Sequence, residues 1–184
     1  MILDTIRVGP IHHYTKDVLK LLTDPTHTAF HIVTLPEEMP VNESLELDHT
    51  VRVDVGMHRG TTFVNGVYPE VVPEALVNAW ERVRAKPSRL AVESGVEIDP
   101  KVAEALVEGA ERVLERRRLG EVYLERLRTE MAGPKVLVPY LFDIQPGRPL
   151  TEAVAAAILE QVGVDAFGLP IPANRAKLKP GRRS

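Results

Sequence analysis

The chain has 184 residues, 44% of them hydrophobic and 27% charged, which is typical of one folded domain with a core and argues against a disordered chain. Its net charge of -3 and its aromatic content of 5% argue against a nucleic-acid-binding surface. It has no cysteine, no apolar run near the ~20 residues of a membrane span and no signal-peptide pattern, so we expect a cytoplasmic protein without disulfides or thiolate metal sites.

The first third of the chain predicts a helix, a strand and a second helix. An apolar stripe predicts a helix from Tyr14 to Leu22, which Asp24-Pro25 ends because a proline disfavours helical angles in the residue before it. Thr28 to Leu35 is predicted as a strand, and its nearly continuous apolar residues indicate burial on both faces. After the acidic pair Glu37-Glu38, the second helix is predicted from Pro40 to about Asp54, because proline is favoured in a first helical turn.

The middle of the chain predicts one strand and two helical stretches. Thr61 to Val67 is predicted as a strand, Pro73 to Arg84 as a helix, and residues 86–98 as a loop. Asp99 is predicted to cap a long helical stretch from Pro100 to about Met131, which Gly120 would bend or break.

The last third predicts a strand from Lys135 to Tyr140 and a helix from Leu150 to Val162, followed by a basic, disordered tail over residues 169–184. Buried strands that alternate with helices favour an α/β fold with a parallel sheet and flanking helices. A parallel sheet of three strands is thin, and an edge strand as apolar as a central one indicates part of a larger sheet.

Polar or kinked residues follow each of the three predicted strands. Glu37 follows the first, Asn65 ends the second, and Pro139 with Tyr140 ends the third. Ligands of open α/β sheets bind at the carboxyl ends of strands, so these three ends predict one shared site. The chain has no Gly-x-x-x-x-Gly-Lys-Ser/Thr loop to hold phosphates.

Three segments over residues 5–163 together resemble the C-terminal half of the ArsA-like ATPases, a branch of the P-loop nucleotidases that drives arsenical pumps or targets tail-anchored proteins. These segments are Phe30-His-Ile-Val-Thr-Leu-Pro-Glu-Glu-Met-Pro-Val-Asn-Glu43, Phe63-Val-Asn-Gly-Val-Tyr-Pro69 and Val138-Pro-Tyr-Leu-Phe-Asp-Ile-Gln-Pro-Gly147. The resemblance implies that residues 1–168 form the adenine-side half of a P-loop NTPase-like domain with a long helical segment.

The resemblance also implies which residues contact ATP. Glu37 matches a glutamate that contacts the nucleotide, and Asn65 matches an asparagine that hydrogen-bonds adenine. Adenine presents an acceptor and a donor side by side, which an asparagine amide matches. The loop from Pro139 to Gly147 matches one that packs around the base, with Tyr140, Leu141 and Phe142 nearest the ring.

The sequence departs from that family on the phosphate side. The phosphate loop, the magnesium ligands and the aspartate that orients the attacking water are absent, and phosphoryl transfer depends on them. We therefore expect a truncated or split ATPase that binds ATP without hydrolysing it alone, with magnesium only where a partner supplies the phosphate site. The expected partners are a P-loop-bearing chain or further copies of this one, and a membrane pump as a possible peripheral partner. The Cys-x-x-Cys zinc pair of the targeting branch is also absent.

Several alternatives remain open from the sequence alone. Glu37 could be a solvated acid at a helix start, and Asn65 could be a turn residue, since Asn-Gly is a strong turn signal. His27 and His31 are too far apart on a strand for one metal ion, so packing or surface roles are favoured for the histidines. A non-catalytic interaction module that binds a partner through the long helical segment is the alternative function. A stand-alone enzyme lacks a supporting nucleophile or metal set.

Overall fold

A computed structural model describes residues 10–73, 77–93, 95, 97–142 and 144–163 of the chain. The described residues form a mixed α/β fold, a three-stranded sheet with flanking helices. The strands are β1 (Phe30–Thr34), β2 (Arg59–Val67) and β3 (Lys135–Pro139). The helices are α1 (Pro10–Thr23), α2 (Glu38–His49), α3 (Val77–Ala85), α4 (Pro87–Glu93), α5 (Pro100–Glu130) and α6 (Arg148–Val162), and a π-helical turn (Thr50–Val55) extends α2.

The sheet has the strand order β1-β2-β3, and both neighbouring pairs are parallel. This confirms the predicted parallel sheet with flanking helices and the long helical segment. Each pairing contains one register shift, at which β2 carries an extra residue relative to its neighbour. The second shift falls between Val64 and Val67, at the carboxyl end of β2, where it changes the course of the strand.

The core lies between one face of the sheet and the C-terminal third of α5. Ile32 of β1 and Val64 of β2 are buried against Leu124, Leu127 and Met131. α5 extends well beyond this contact, since its 31 residues span roughly 46 Å. The buried third of α5 therefore fixes the helix along the sheet, and α5 becomes a wall beside the strand ends.

A buried ion pair joins α2 to the start of β2. The Asp48 carboxylate accepts hydrogen bonds from Arg59 Nη1 at 2.7 Å and from Arg52 Nε at 3.0 Å. Asp48 and Arg59 are both largely buried, whereas Arg52 is half exposed. Because Arg59 begins β2, this contact lies at the opposite end of the sheet from the strand tips.

The prediction that β1 is buried on both faces is wrong for the described chain. Burial alternates along β1: Ile32 and Thr34 are buried, whereas Val33 is 71% exposed. The physical reason is that the helices packed on the sheet cover the face of Ile32 and Val64, and leave Val33 uncovered.

Two predictions about the middle of the chain are also wrong. Residues 86–98 were expected to form a loop, but Pro87–Glu93 is helical, with proline in its favoured first turn. Gly120 does not break α5: the helix continues through it to Glu130, and Gly120 is buried against Pro36. Asp99 caps α5 as predicted, accepting a hydrogen bond from the Lys101 N–H at 2.8 Å. The predicted tail over residues 169–184 lies outside the described residues.

Candidate functional site

The first wall of the candidate site is the junction between β1 and α2. Pro36 is buried, and Glu37 takes the N-cap position of α2 with extended backbone angles (φ -134°, ψ 158°). The Glu37 carboxylate makes no capping hydrogen bond, and its closest ion-pair partner is Arg116 of α5, with Oε1 and Nη1 4.0 Å apart. The carboxylate is therefore exposed and available to a ligand.

The end of β2 contains an irregularity at Asn65 and Gly66. Val64 pairs with Leu137 and Val67 pairs with Pro139, so β2 has one extra residue across this interval. Gly66 has a φ of +72°, which residues with a side chain rarely adopt. The Asn65-Gly66 pair thus lies inside a strand and is not a hairpin turn. Bulges of this kind often redirect side chains beside active sites.

Three aromatic rings meet where β2 and β3 end. The Tyr140 N–H donates to the Val67 carbonyl at 2.8 Å, which holds the two chain segments side by side past the last strand pair. Tyr68 stacks on Tyr140 with ring centroids 4.8 Å apart and planes 8° apart, and Phe142 packs at an angle against both rings. Tyr140 and Phe142 are each 43% exposed, so the outer side of this aromatic cluster faces solvent.

A cleft of about 550 Å³ opens between the strand ends and α5, within the size range of small-ligand sites. Its walls are the β1–α2 junction, the end of β2 and the middle of α5. The lining residues are Pro36, Glu37, Glu38, Gly66, Tyr68, Glu115, Arg116, Leu119 and Tyr123. A neighbouring groove of about 440 Å³ shares Pro36, Tyr68 and Arg116 with the cleft.

The cleft carries more negative than positive charge. Glu37, Glu38 and Glu115 line it, and Arg116 is the basic residue among the cleft residues. Carboxylates accept hydrogen bonds, so the lining suits hydroxyl or amino groups of a ligand. A phosphate group in the same place would be repelled by the carboxylates. The lining thus favours hydrogen-bond donors over anionic groups.

The predicted site residues fall into three groups: one in the cleft, two in the aromatic cluster and three outside the cleft lining. Glu37 lines the cleft itself. Tyr140 and Phe142 belong to the aromatic cluster, which reaches the cleft through Tyr68. The structure does not place Asn65, Pro139 or Leu141 in the cleft lining: Pro139 is the last residue of β3, Leu141 follows Tyr140, and exposed Asn65 directly precedes Gly66.

Tyr68 and Arg116 are not among the site residues predicted from the sequence. A signal for Tyr68 existed, because it is an aromatic residue directly after a strand end in a chain with few aromatics. Arg116 had no such signal, since the run Glu115-Arg-Arg-Arg118 is typical of a solvated helix face and only the packing of α5 brings it to the site.

Within the described part of the chain, no cluster of three or more His, Asp or Glu side chains has the arrangement of a metal site. His27 contacts Asp24 through Nδ1 at 3.0 Å, and the His31 Nδ1 accepts the Thr61 N–H at 3.0 Å. The helices of the described residues include none that is both long and apolar enough to cross a bilayer.

Comparison with known proteins gave no match to this chain, either among protein-family models or among curated sequences.

Proposed function

We propose that this chain is the adenine-side half of an ATP site, derived from the ArsA-like ATPases, and that a P-loop-bearing partner completes the phosphate side. The observation that carries the proposal is the junction at Glu37, where a ligand-sized cleft lies beside β1, an edge strand that has no neighbour on its outer side among the described residues. Purely parallel sheets are normally buried on both faces, so an exposed Val33 on an edge strand is unusual in an isolated unit.

The two edges of the sheet differ in a way that favours a partner beside β1. Across β3, the side-chain amide of Gln161 in α6 accepts from the Leu137 N–H at 2.8 Å and donates to the Leu137 carbonyl at 2.6 Å. That pair of bonds satisfies the backbone groups of Leu137 in the middle of this edge, as a neighbouring strand would. Among the described residues no strand lies on the outer side of β1. A strand from the partner would satisfy the outward-facing backbone groups of β1 and lead its phosphate loop towards Glu37.

The cleft fits the nucleoside part of ATP and not the triphosphate. Aromatic rings and an Asn-Gly bulge surround the place where a purine would lie, and carboxylates suit the ribose hydroxyls. Magnesium and the phosphates would be held by the partner, which would also supply the groups that phosphoryl transfer needs. On this proposal the chain alone binds nucleosides weakly and hydrolyses nothing.

Calorimetric titration of the chain with adenosine and with ATP tests the proposal. Without phosphate contacts, we expect adenosine to bind with a Kd on the order of 1 mM, and ATP no more tightly. Glu37→Gln should weaken adenosine binding, whereas Glu46→Gln, an equivalent change at an exposed position of α2, should not. If the unmodified chain does not bind adenosine even at roughly 10 mM adenosine, 10-fold above the expected Kd, the nucleotide assignment is refuted.

The partner is tested separately. A reading frame beside this gene that encodes a P-loop half identifies the candidate, and the two polypeptides are then produced together. We expect the mixture to bind ATP more tightly than either chain and to hydrolyse it, because the phosphate contacts and the catalytic groups are then present. A mixture that neither binds nor hydrolyses ATP contradicts the split-enzyme proposal.

A second candidate is an interaction module that binds a partner protein through α5. The observation in its favour is that Leu106 and Leu119 of this helix are 60% and 56% exposed, together with Val102 and Val122. Equilibrium sedimentation of the unmodified chain and of Leu106→Glu tests whether this helix surface binds further copies of the chain. Concentration-dependent self-association that Leu106→Glu abolishes would support the helix surface, and a monomer in both cases would count against copies of this chain as its partner.

A further inference from the structure

Tyr68 belongs both to the cleft and to the aromatic cluster. It lines the cleft together with Glu37 and Gly66, and one face of its ring is covered by Tyr140. Tyr140 and Phe142, by contrast, belong to the cluster and do not line the cleft. Of the three rings in the aromatic cluster, that of Tyr68, which follows β2, is therefore the one that lines the cleft, together with Tyr123 of α5.

The backbone holds Tyr68 in this place. The extra residue at the Asn65-Gly66 bulge shifts the end of β2, so that Val67 pairs with Pro139 and the Tyr140 N–H reaches the Val67 carbonyl at 2.8 Å. Tyr68 and Tyr140 consequently leave their strands side by side. Their rings are nearly parallel, 8° apart, and form a stacked pair at the point where the two hydrogen-bonded segments leave the sheet.

We infer that Tyr68 is the ring-stacking residue of this site, and that a planar heteroaromatic ring binds against the face of Tyr68 that Tyr140 does not cover. Tyr140 and Phe142 are positioning residues that hold Tyr68 from behind. The inference rests on the proposed nucleoside site. The inference differs from the sequence-based expectation because it assigns the direct ring contact to a residue outside the Pro139–Gly147 loop.

The chemistry of the contact sets its selectivity. Every nucleobase has a π-face, so stacking selects for a planar ring and discriminates little between bases. Adenosine and guanosine should therefore lose the same affinity when the Tyr68 ring is removed. Ribose 5-phosphate, which has no ring system of this kind, should gain nothing from Tyr68.

The test uses the full chain and the fluorescent nucleoside 1,N6-ethenoadenosine, whose emission falls when its ring stacks on an aromatic side chain. Tyr68→Leu should weaken binding roughly 5- to 150-fold and abolish the quenching, whereas Tyr68→Phe should retain both. Tyr140→Leu should have a smaller effect than Tyr68→Leu. Tyr14→Leu removes an exposed ring from α1 and serves as the matched control, with no expected change.

The outcomes separate this inference from the proposed function. If the unmodified chain binds no nucleoside, the proposed function fails and the inference fails with it. If the unmodified chain binds and Tyr68→Leu binds and quenches equally well, the inference alone is wrong. A larger loss for Tyr140→Leu than for Tyr68→Leu, with unchanged unfolding midpoints, would instead assign the stacking contact to the loop after β3.

Discussion

Replacing Asp48 by asparagine tests the reasoning about what holds α2 to the sheet. Asp48 is 4% exposed, and its two carboxylate oxygens pair with Arg59 and Arg52. The asparagine side chain has the same shape but no charge. It therefore leaves the buried Arg59 guanidinium without a counter-charge, at the N-terminal end of β2.

The expected loss of stability follows from the burial of Asp48 and Arg59. Removing one member of a buried ion pair typically costs 3–5 kcal/mol, so we expect about that loss in the free energy of unfolding for Asp48→Asn. In a protein of this size the loss corresponds to a fall of roughly 6–20 °C in Tm. Arg52→Gln is the matched control, because its side chain is 45% exposed and exposed pairs contribute at most about 1 kcal/mol.

Urea unfolding followed by circular dichroism measures both variants. The double variant Asp48→Leu/Arg59→Met should recover much of the lost stability, because two apolar groups can replace a buried ion pair without leaving a charge unpaired. A loss for Asp48→Asn no larger than that for Arg52→Gln would refute the claim that the Asp48–Arg59 contact is a buried, structure-determining pair.

Two further variants test the packing of α5 and the charge environment at the start of β3. Gly120→Ala should stabilise the protein by about 0.5–1 kcal/mol, because alanine favours the helix and the new Cβ would lie 3.6 Å from Pro36, an ordinary contact distance. Gly109→Ala, in open space on α5, is the control. A loss of stability in urea unfolding for Gly120→Ala alone would contradict this packing. Burial, and then two nearby arginines, hold the pKa of Lys135 below its ordinary value of 10.5. The unfolded chain therefore binds more protons in the pH range between the lowered pKa of the folded state and about 10.5. Through that range the wild-type free energy of unfolding should rise with pH relative to that of Lys135→Met, and a flat or falling difference would contradict this.

The strands were predictable to within two residues at each end because local signals delimit them. Pro36 follows the apolar run of β1, Gly133-Pro134 precedes that of β3, and the capping side chain of Asp99 identifies the start of α5. The exposure of Val33 could not be predicted, because the sequence of an apolar strand does not show whether another element covers that face of the sheet. The helix α4 was missed because seven residues are too few to show a helical period.

Only part of the candidate site could be predicted from the sequence, for a related reason. The strand ends of a parallel sheet meet at one edge, so the sequence could place Glu37, Asn65 and Tyr140 near one another. It could not show that the middle of α5 forms the opposite wall, because that depends on tertiary packing around Leu127. It also could not show that the bulge at Gly66 brings Tyr68 to the cleft.

The central claim, that the strand ends form the nucleoside side of a nucleotide site, is tested most directly by titrating the ¹⁵N-labelled chain with adenosine and following its backbone amide resonances. The account predicts saturable shifts in the range of about 1 mM, concentrated at Glu37, Gly66, Tyr68 and the middle of α5. Shifts that are absent, or that concentrate on residues away from the cleft such as those of α3, would contradict it.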